Sequence, residues 1–163
     1  MRRVHGIGVF AALLFCDQVS KAWVRAHVLI GRDTVLIPGV FDLTYAPNRG
    51  IAFSTFANLP DRIRVPLLLV FPVAITVAVT CYAARGWQKV RAITQWALIL
   101  MLAGAVGNLV DRVRCGEVTD FVRFRLGSRS LFVNNLADDF VSIAAVLLLL
   151  GGFLPSARPP RLG

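Results

Sequence analysis

The chain has 163 residues, 56% of them hydrophobic, a mean hydropathy of +0.67 and a formal net charge of +9 from 18 Lys+Arg against 9 Asp+Glu. A soluble domain of this length is rarely so apolar, so the composition excludes an ordinary globular core. The basic residues flank apolar blocks and carry no nucleic-acid-binding motif, which points to lipid headgroups rather than DNA or RNA.

The first apolar block covers residues 4–24 and reads as a helix. Met1-Arg2-Arg3 ahead of it imitates a secretory signal, and Leu13-Leu14-Phe15-Cys16 imitates a lipoprotein signal. Phe15 is large where cleavage needs a small residue, and no polar mature domain follows, so an uncleaved first helix fits better. Asp17 and Lys21 stand four apart on one face of that helix and can pair. Charges at membrane depth must face protein or water. An ion pair that docks the next segment is the expected role of these two.

Residues 31–58 are mixed and broken by Gly31, Pro38, Gly39, Pro47 and Gly50. Within them, residues 34–37 and 40–45 read as short strands. A small sheet or lid resting on the bilayer follows, with Ile51, Phe53 and Phe56 as apolar tips among the headgroups. A second helix covers residues 65–84, with Pro66 tolerated in its first turn and Pro72 placed to kink it. After the basic turn Arg85-Gly86-Trp87-Gln88-Lys89-Val90-Arg91, residues 92–110 run without one charge. At a helical rise that stretch is roughly 28 Å, about one hydrocarbon core. Gly104 and Gly107 in it permit close helix contact.

Residues 118–134 read as a hairpin turned at Gly127-Ser128-Arg129-Ser130. A fourth helix over residues 136–154 puts Asp138 in its first turns. The basic, Pro-containing tail, residues 157–163, is expected to be disordered. The fold class is therefore a mainly α membrane protein: four transmembrane helices in one domain, with a small extramembrane β-sheet or cradle on the outer face. Four spans put both termini on one side. Seven Lys/Arg lie in the termini and short loop and eleven in the long segments, so a raw positive-inside count does not place the termini in the cytoplasm. All nine acidic residues lie in or beside the long segments and can neutralise the basic ones there, which favours cytoplasmic termini.

One membrane face thus collects Asp111, Glu117, Asp120, Asp138 and Asp139, together with Asn48, Asn108, Asn134, Asn135 and Arg112. His5 and His27 belong to the first helix region, and Cys16, Cys81 and Cys115 are far apart, so no metal site and no Cys/His or Ser/His/Asp pairing is expected. Close carboxylates share a proton: the ionised one can deprotonate water while the protonated one activates a carbonyl oxygen. That is amide hydrolysis of the aspartic type. A structural salt-bridge cluster with Arg112 and Arg114 is the plainer reading of the same composition. A proton-coupled transporter subunit with an Asp relay is a third.

Four motifs in order change that balance: Asp17-Gln18-Val19-Ser20-Lys21; Asn48-Arg49-Gly50-Ile51-Ala52-Phe53; Gly107-Asn108-Leu109-Val110-Asp111-Arg112 continuing to Gly116-Glu117-Val118-Thr119-Asp120-Phe121; and Asn135-Leu136-Ala137-Asp138. With them the chain resembles the lipoprotein signal peptidase (signal peptidase II) family over nearly its whole length. The resemblance implies a cofactor-free, monomeric aspartic endopeptidase of the bacterial cytoplasmic (inner) membrane, with cytoplasmic termini and an active site near the outer face. It implies diacylglyceryl-modified prolipoproteins as substrates, cut just before the lipidated Cys, and membrane lipids as surroundings. The family's catalytic pair falls on Asp120 and Asp138. Asn48, Asn108, Asp111, Arg112 and Asn135 match positions that would place substrate and orient the dyad, and Asp17 and Lys21 match architectural ones. Two residues depart from the family pattern. Asn134 stands where an aromatic residue is usual, and Asp139 where a small one is, so Asp139 is a rival to Asp138.

Overall fold

The computed structural model describes residues 3–50, 60–88 and 90–153. The expected apolar tips Ile51, Phe53 and Phe56, together with Lys89 and the basic tail, lie outside the described residues. Among the described residues are four helices, α1 (Arg3–His27), α2 (Asp61–Gly86), α3 (Ala92–Cys115) and α4 (Leu136–Phe153), with one pair of strands after α1 and a second pair after α3. These are β1 (Thr34–Ile37), β2 (Phe41–Asn48), β3 (Val118–Leu126) and β4 (Arg129–Asn134), in one antiparallel sheet of order β1-β2-β3-β4.

The helix α3 corrects the sequence boundary. It does not stop at residue 110 but carries Asp111 and Arg112 on its own last turns. No residue before Gly116 breaks the helix. Gly116 adopts φ 75, a left-handed conformation that glycine takes without steric penalty, and its N–H donates to the Arg112 carbonyl at 3.0 Å. Arg112 and Arg114 lie in that last turn, where positive charge suits the helix dipole.

The sheet is longer than its sequence signal. β2 runs to Asn48, opposite Val118, and Ala46 faces Asp120 across an irregularity between Leu43 and Ala46. β3 and β4 join through Gly127-Ser128, with Gly127 at φ 60, as a two-residue hairpin requires. Phe41 pairs with Phe124 and Phe124 with Phe132 across neighbouring strands, with ring centroids 4.8 and 4.7 Å apart. Such cross-strand aromatic pairs fix register.

α3 is the central helix, packed against α1, α2 and α4. Its glycines set the spacing. A Cβ on Gly104 would collide with the Ala137 carbonyl of α4, and one on Gly107 would lie 2.5 Å from Asp17 Oδ2 of α1. The small buried residues Ala97, Ala103, Ala137 and Ala144 continue this close contact. The exterior is apolar. Val4, Phe15, Val77 and Leu149 are more than half exposed, while Asp17, Lys21, Gln95 and Asp111 are buried. That distribution reverses the one expected of a protein surrounded by water. By length and composition α1 and α3 can each cross a membrane, with mean hydropathies of 1.4 and 1.7.

Candidate active site

The site forms where α1, α3, the sheet and the start of α4 meet. Asn135 lies between β4 and α4 and is fully buried. It caps α4: its Oδ1 accepts from the Asp138 N–H at 3.1 Å, the geometry that makes Asn a favoured N-cap. The same amide does a second job. Its Nδ2 donates to Asp120 Oδ1 at 2.6 Å and to Asp138 Oδ2 at 2.9 Å. One NH2 group therefore joins the two expected catalytic carboxylates, and their nearest oxygens are at most two hydrogen-bond lengths apart.

Two further asparagines complete the arrangement. Asn48 at the end of β2 donates to Asp120 Oδ2 at 2.8 Å, and Asn108 of α3 donates to Asp138 Oδ1 at 2.7 Å. Every oxygen of the pair thus receives one amide N–H. Each carboxylate oxygen has a second lone pair, so water or a shared proton still has a place. The amide orientations are dictated by groups that can only donate. Asn48 Oδ1 accepts from the Gly50 N–H at 2.8 Å, and Asn108 Oδ1 accepts from the Lys21 ammonium at 2.9 Å.

Lys21 is fully buried, and its ammonium is surrounded by three side-chain oxygens. Besides Asn108, Nζ lies 3.0 Å from Asp17 Oδ2 and 3.4 Å from Asp111 Oδ2. Asp17 Oδ1 also accepts from the Ala137 N–H at 3.0 Å, so a negative charge from α1 sits at the N-terminus of α4. Asp111 accepts from the Thr119 N–H at 3.0 Å and lies 3.5 Å from Arg25. The expected Asp17–Lys21 ion pair is present, and it reaches Asp138 through Asn108. Asp111 stands outside the Asp120–Asp138 pair and holds α1 and the start of β3 together. Among the described residues the salt-bridge partners of the acidic cluster are Lys21 and Arg25, on Asp111, and Arg49, on Glu117, not Arg112 and Arg114. Arg112 instead donates to the Gly50 carbonyl at 3.1 Å, tying α3 to the segment after β2.

Asp120 and Asp138 have no ion-pair partner among the described residues. Burial pushes the Asp120 carboxyl up to about 6, and the negative charge of Asp138 pushes the same way; donation from Asn48 and Asn135 and the Lys21 charge oppose it. Asp120 therefore holds its proton to a higher pH than an ordinary aspartate does.

The rival carboxylate is turned aside. Asp139 Oδ1 accepts from Asn134 Nδ2 at 2.7 Å, so the two departures from the family pattern are partners of each other. Two contributors were given no role from sequence. Gln18 donates to Asp17 Oδ2 and to the Gly107 carbonyl, and Arg25 donates to Thr119 Oγ1 at 2.7 Å. Arg25 was detectable in principle, because it follows Asp17 and Lys21 at the same four-residue spacing. Among the described residues no three His, Cys, Asp or Glu side chains come together as metal ligands.

A family model described as Signal peptidase (SPase) II matches residues 9–154. The lipoprotein signal peptidase of Trichormus variabilis is 36% identical over 154 residues, spanning 94% of this chain and 92% of the relative. That of Streptococcus thermophilus is 35% identical over 150 residues, spanning 92% and 93%. Two solved chains described as a bacterial membrane enzyme share the fold, with TM-scores of 0.80 and 0.78. They are 23% and 24% identical, covering 95% and 93% of this chain and 94% of each of those chains.

Proposed function

The chain belongs to the signal peptidase II family of aspartic, lipoprotein-processing peptidases, and on that premise we propose that Asp120 and Asp138 are its catalytic dyad. The observation that carries this reading is the Asn135 amide, which donates to both carboxylates at once. A structural cluster has no need of two buried carboxylates held together without a cation between them. A dyad needs that arrangement, because close carboxylates bind one proton between them.

In the proposed reaction Asp120 carries the proton and Asp138 is ionised. Asp138 takes a proton from water as the water oxygen bonds to the scissile carbonyl carbon. Asp120 gives its proton to the carbonyl oxygen. In the tetrahedral intermediate the C–N bond then breaks, the amine leaves with the proton that Asp138 had taken, and one hydroxyl of the departing carboxylic acid returns its proton to Asp120. Asn48, Asn108 and Asn135 keep the carboxylates in place during both transfers. Arg112, anchored on the Gly50 carbonyl, positions the peptide alongside.

The substrate of this reading is a diacylglyceryl-modified prolipoprotein, cut before its lipidated Cys. All four helices would span the bacterial cytoplasmic membrane with both termini in the cytoplasm. The dyad would then lie near the outer face, where the bilayer admits water, and a lipid-anchored peptide would arrive sideways from the membrane. Exposed Val35, Leu36 and Ile37 on β1 suit a sheet resting on lipid.

The test uses purified enzyme and two precursors, one carrying the diacylglyceryl group and one whose Cys is replaced by Ser. The lipidated precursor is expected to be converted, with the cut before the modified Cys shown by mass spectrometry. The unmodified precursor is expected to stay intact. Equal cleavage of both, or cleavage of neither, contradicts the proposal.

A further inference from the structure

We propose that Asn134 and Asp139 form a polar staple that sets the distance between the two dyad carboxylates, and that both are positioning residues for the reaction. The inference rests on the dyad reading above and goes beyond it.

Helix N-termini are often fixed by an apolar contact between the residue before the N-cap and the fourth helical residue. In α4 the N-cap is Asn135, the residue before it is Asn134 and the fourth helical residue is Asp139. Here that contact is a hydrogen bond of 2.7 Å from Asn134 Nδ2 to Asp139 Oδ1. The backbone supports it, since the Asp139 N–H donates to the Asn135 carbonyl at 3.2 Å.

The placement of this bond gives it a role. Asp120 belongs to the sheet and Asp138 to the helix. Asn134 is the last residue of β4 and pairs with Val122, two positions along β3 from Asp120. Asp139 directly follows Asp138. The Asn134–Asp139 bond therefore runs beside the Asp120–Asp138 pair, between the same two elements. It fixes the angle at which the chain passes from sheet to helix. Asn135 lies inside that turn, and its amide must reach both carboxylates. A small swing of α4 would lengthen one of its two bonds. A displacement on the order of 1 Å at a reacting group can cost about 10²-fold in rate.

The bond also occupies the third carboxylate. With Asn134 donating to it, Asp139 has its own partner and does not compete with Asp138 for the Asn135 and Asn108 amides.

Steady-state cleavage of the lipidated precursor by purified variants tests the proposal. Asn134→Ala and Asp139→Ala are each expected to lower kcat about tenfold with KM within about twofold, the signature of lost transition-state geometry rather than lost substrate binding. The double Ala variant should lose no more than either single, because both remove one bond. The exchange Asn134→Asp/Asp139→Asn, which re-forms the bond with its ends reversed, should return kcat to within about threefold of wild type. A residue needed only for folding would change thermal stability and yield without this rescue of kcat. Single variants at wild-type rate, multiplying losses, or an exchange variant no better than the singles would each overturn the staple. Asp138→Asn in the same assay separates the two ideas. If it cleaves normally, the dyad reading fails; if it is inactive while the staple variants run at wild-type kcat, only the staple fails.

Discussion

Asp120→Asn and Asp138→Asn are each expected to cleave at least about 10³-fold more slowly than wild type, with the fold retained. Asparagine keeps the shape of the side chain but can neither take nor give the proton. It also upsets the local hydrogen bonds. Both oxygens of Asp138 accept, from Asn108 and from Asn135. An amide in that place turns its own NH2 toward one of those donors. The same holds for Asp120 between Asn48 and Asn135. Asp139→Asn provides the contrast, because its remaining oxygen can still accept from Asn134, and a rate within about threefold of wild type is expected. Cleavage followed by gel and by product mass reads all three variants. A dead Asp139→Asn beside an active Asp138→Asn would move the dyad by one residue.

Lys21→Met is the second large effect. Methionine fills similar space but leaves Asp17 and Asp111 buried without their ammonium. Removing one partner of a buried ion pair costs about 3–5 kcal/mol. For a chain of this size that corresponds to a fall in melting temperature of roughly 6–20 °C. Asp111 keeps Arg25 at 3.5 Å and Asp17 has no second cation among the described residues, so Asp17 bears more of the loss. The double variant Lys21→Met/Asp17→Asn should therefore recover part of the stability. Activity should not return with it. Without the ammonium, Asn108 Oδ1 has no donor to face, and nothing holds its NH2 toward Asp138. Thermal unfolding and cleavage rate, measured on the same preparations, separate the two consequences. Unchanged stability in Lys21→Met would contradict the account of the buried cluster.

The four helices were legible because the charges fall between apolar blocks, and hairpin β3–β4 was legible from its alternation and its Gly127 turn. The end of α3 was not. Asp111-Arg112-Val113-Arg114 looks like a segment that has left the membrane, yet its first residue is neutralised from α1, by Lys21 and Arg25. A partner so far away in sequence leaves no local mark. The proposed dyad residues were named from motif register. Their geometry could not, because it depends on three asparagine amides whose directions are set by Lys21, by the Gly50 N–H and by the Asp138 N–H. Asp139 read as a rival for the same reason. Sequence shows two adjacent carboxylates, and only the fold shows that Asn134 holds one of them.

The pH dependence of cleavage tests the dyad most directly. Asp120, with its carboxyl raised to about 6, is neutral below that pH and ionised above it. If it supplies the proton, kcat/KM of the wild-type enzyme should fall above about pH 6, tenfold per unit, and fall again at low pH as the pair takes up a second proton. The alkaline limb of kcat should lie at higher pH than that of kcat/KM, because bound peptide buries Asp120 further and penalises its charge. A bell with these two displaced alkaline limbs is the predicted result. A profile that stays level from about pH 5 to about pH 9 would contradict a shared proton between Asp120 and Asp138.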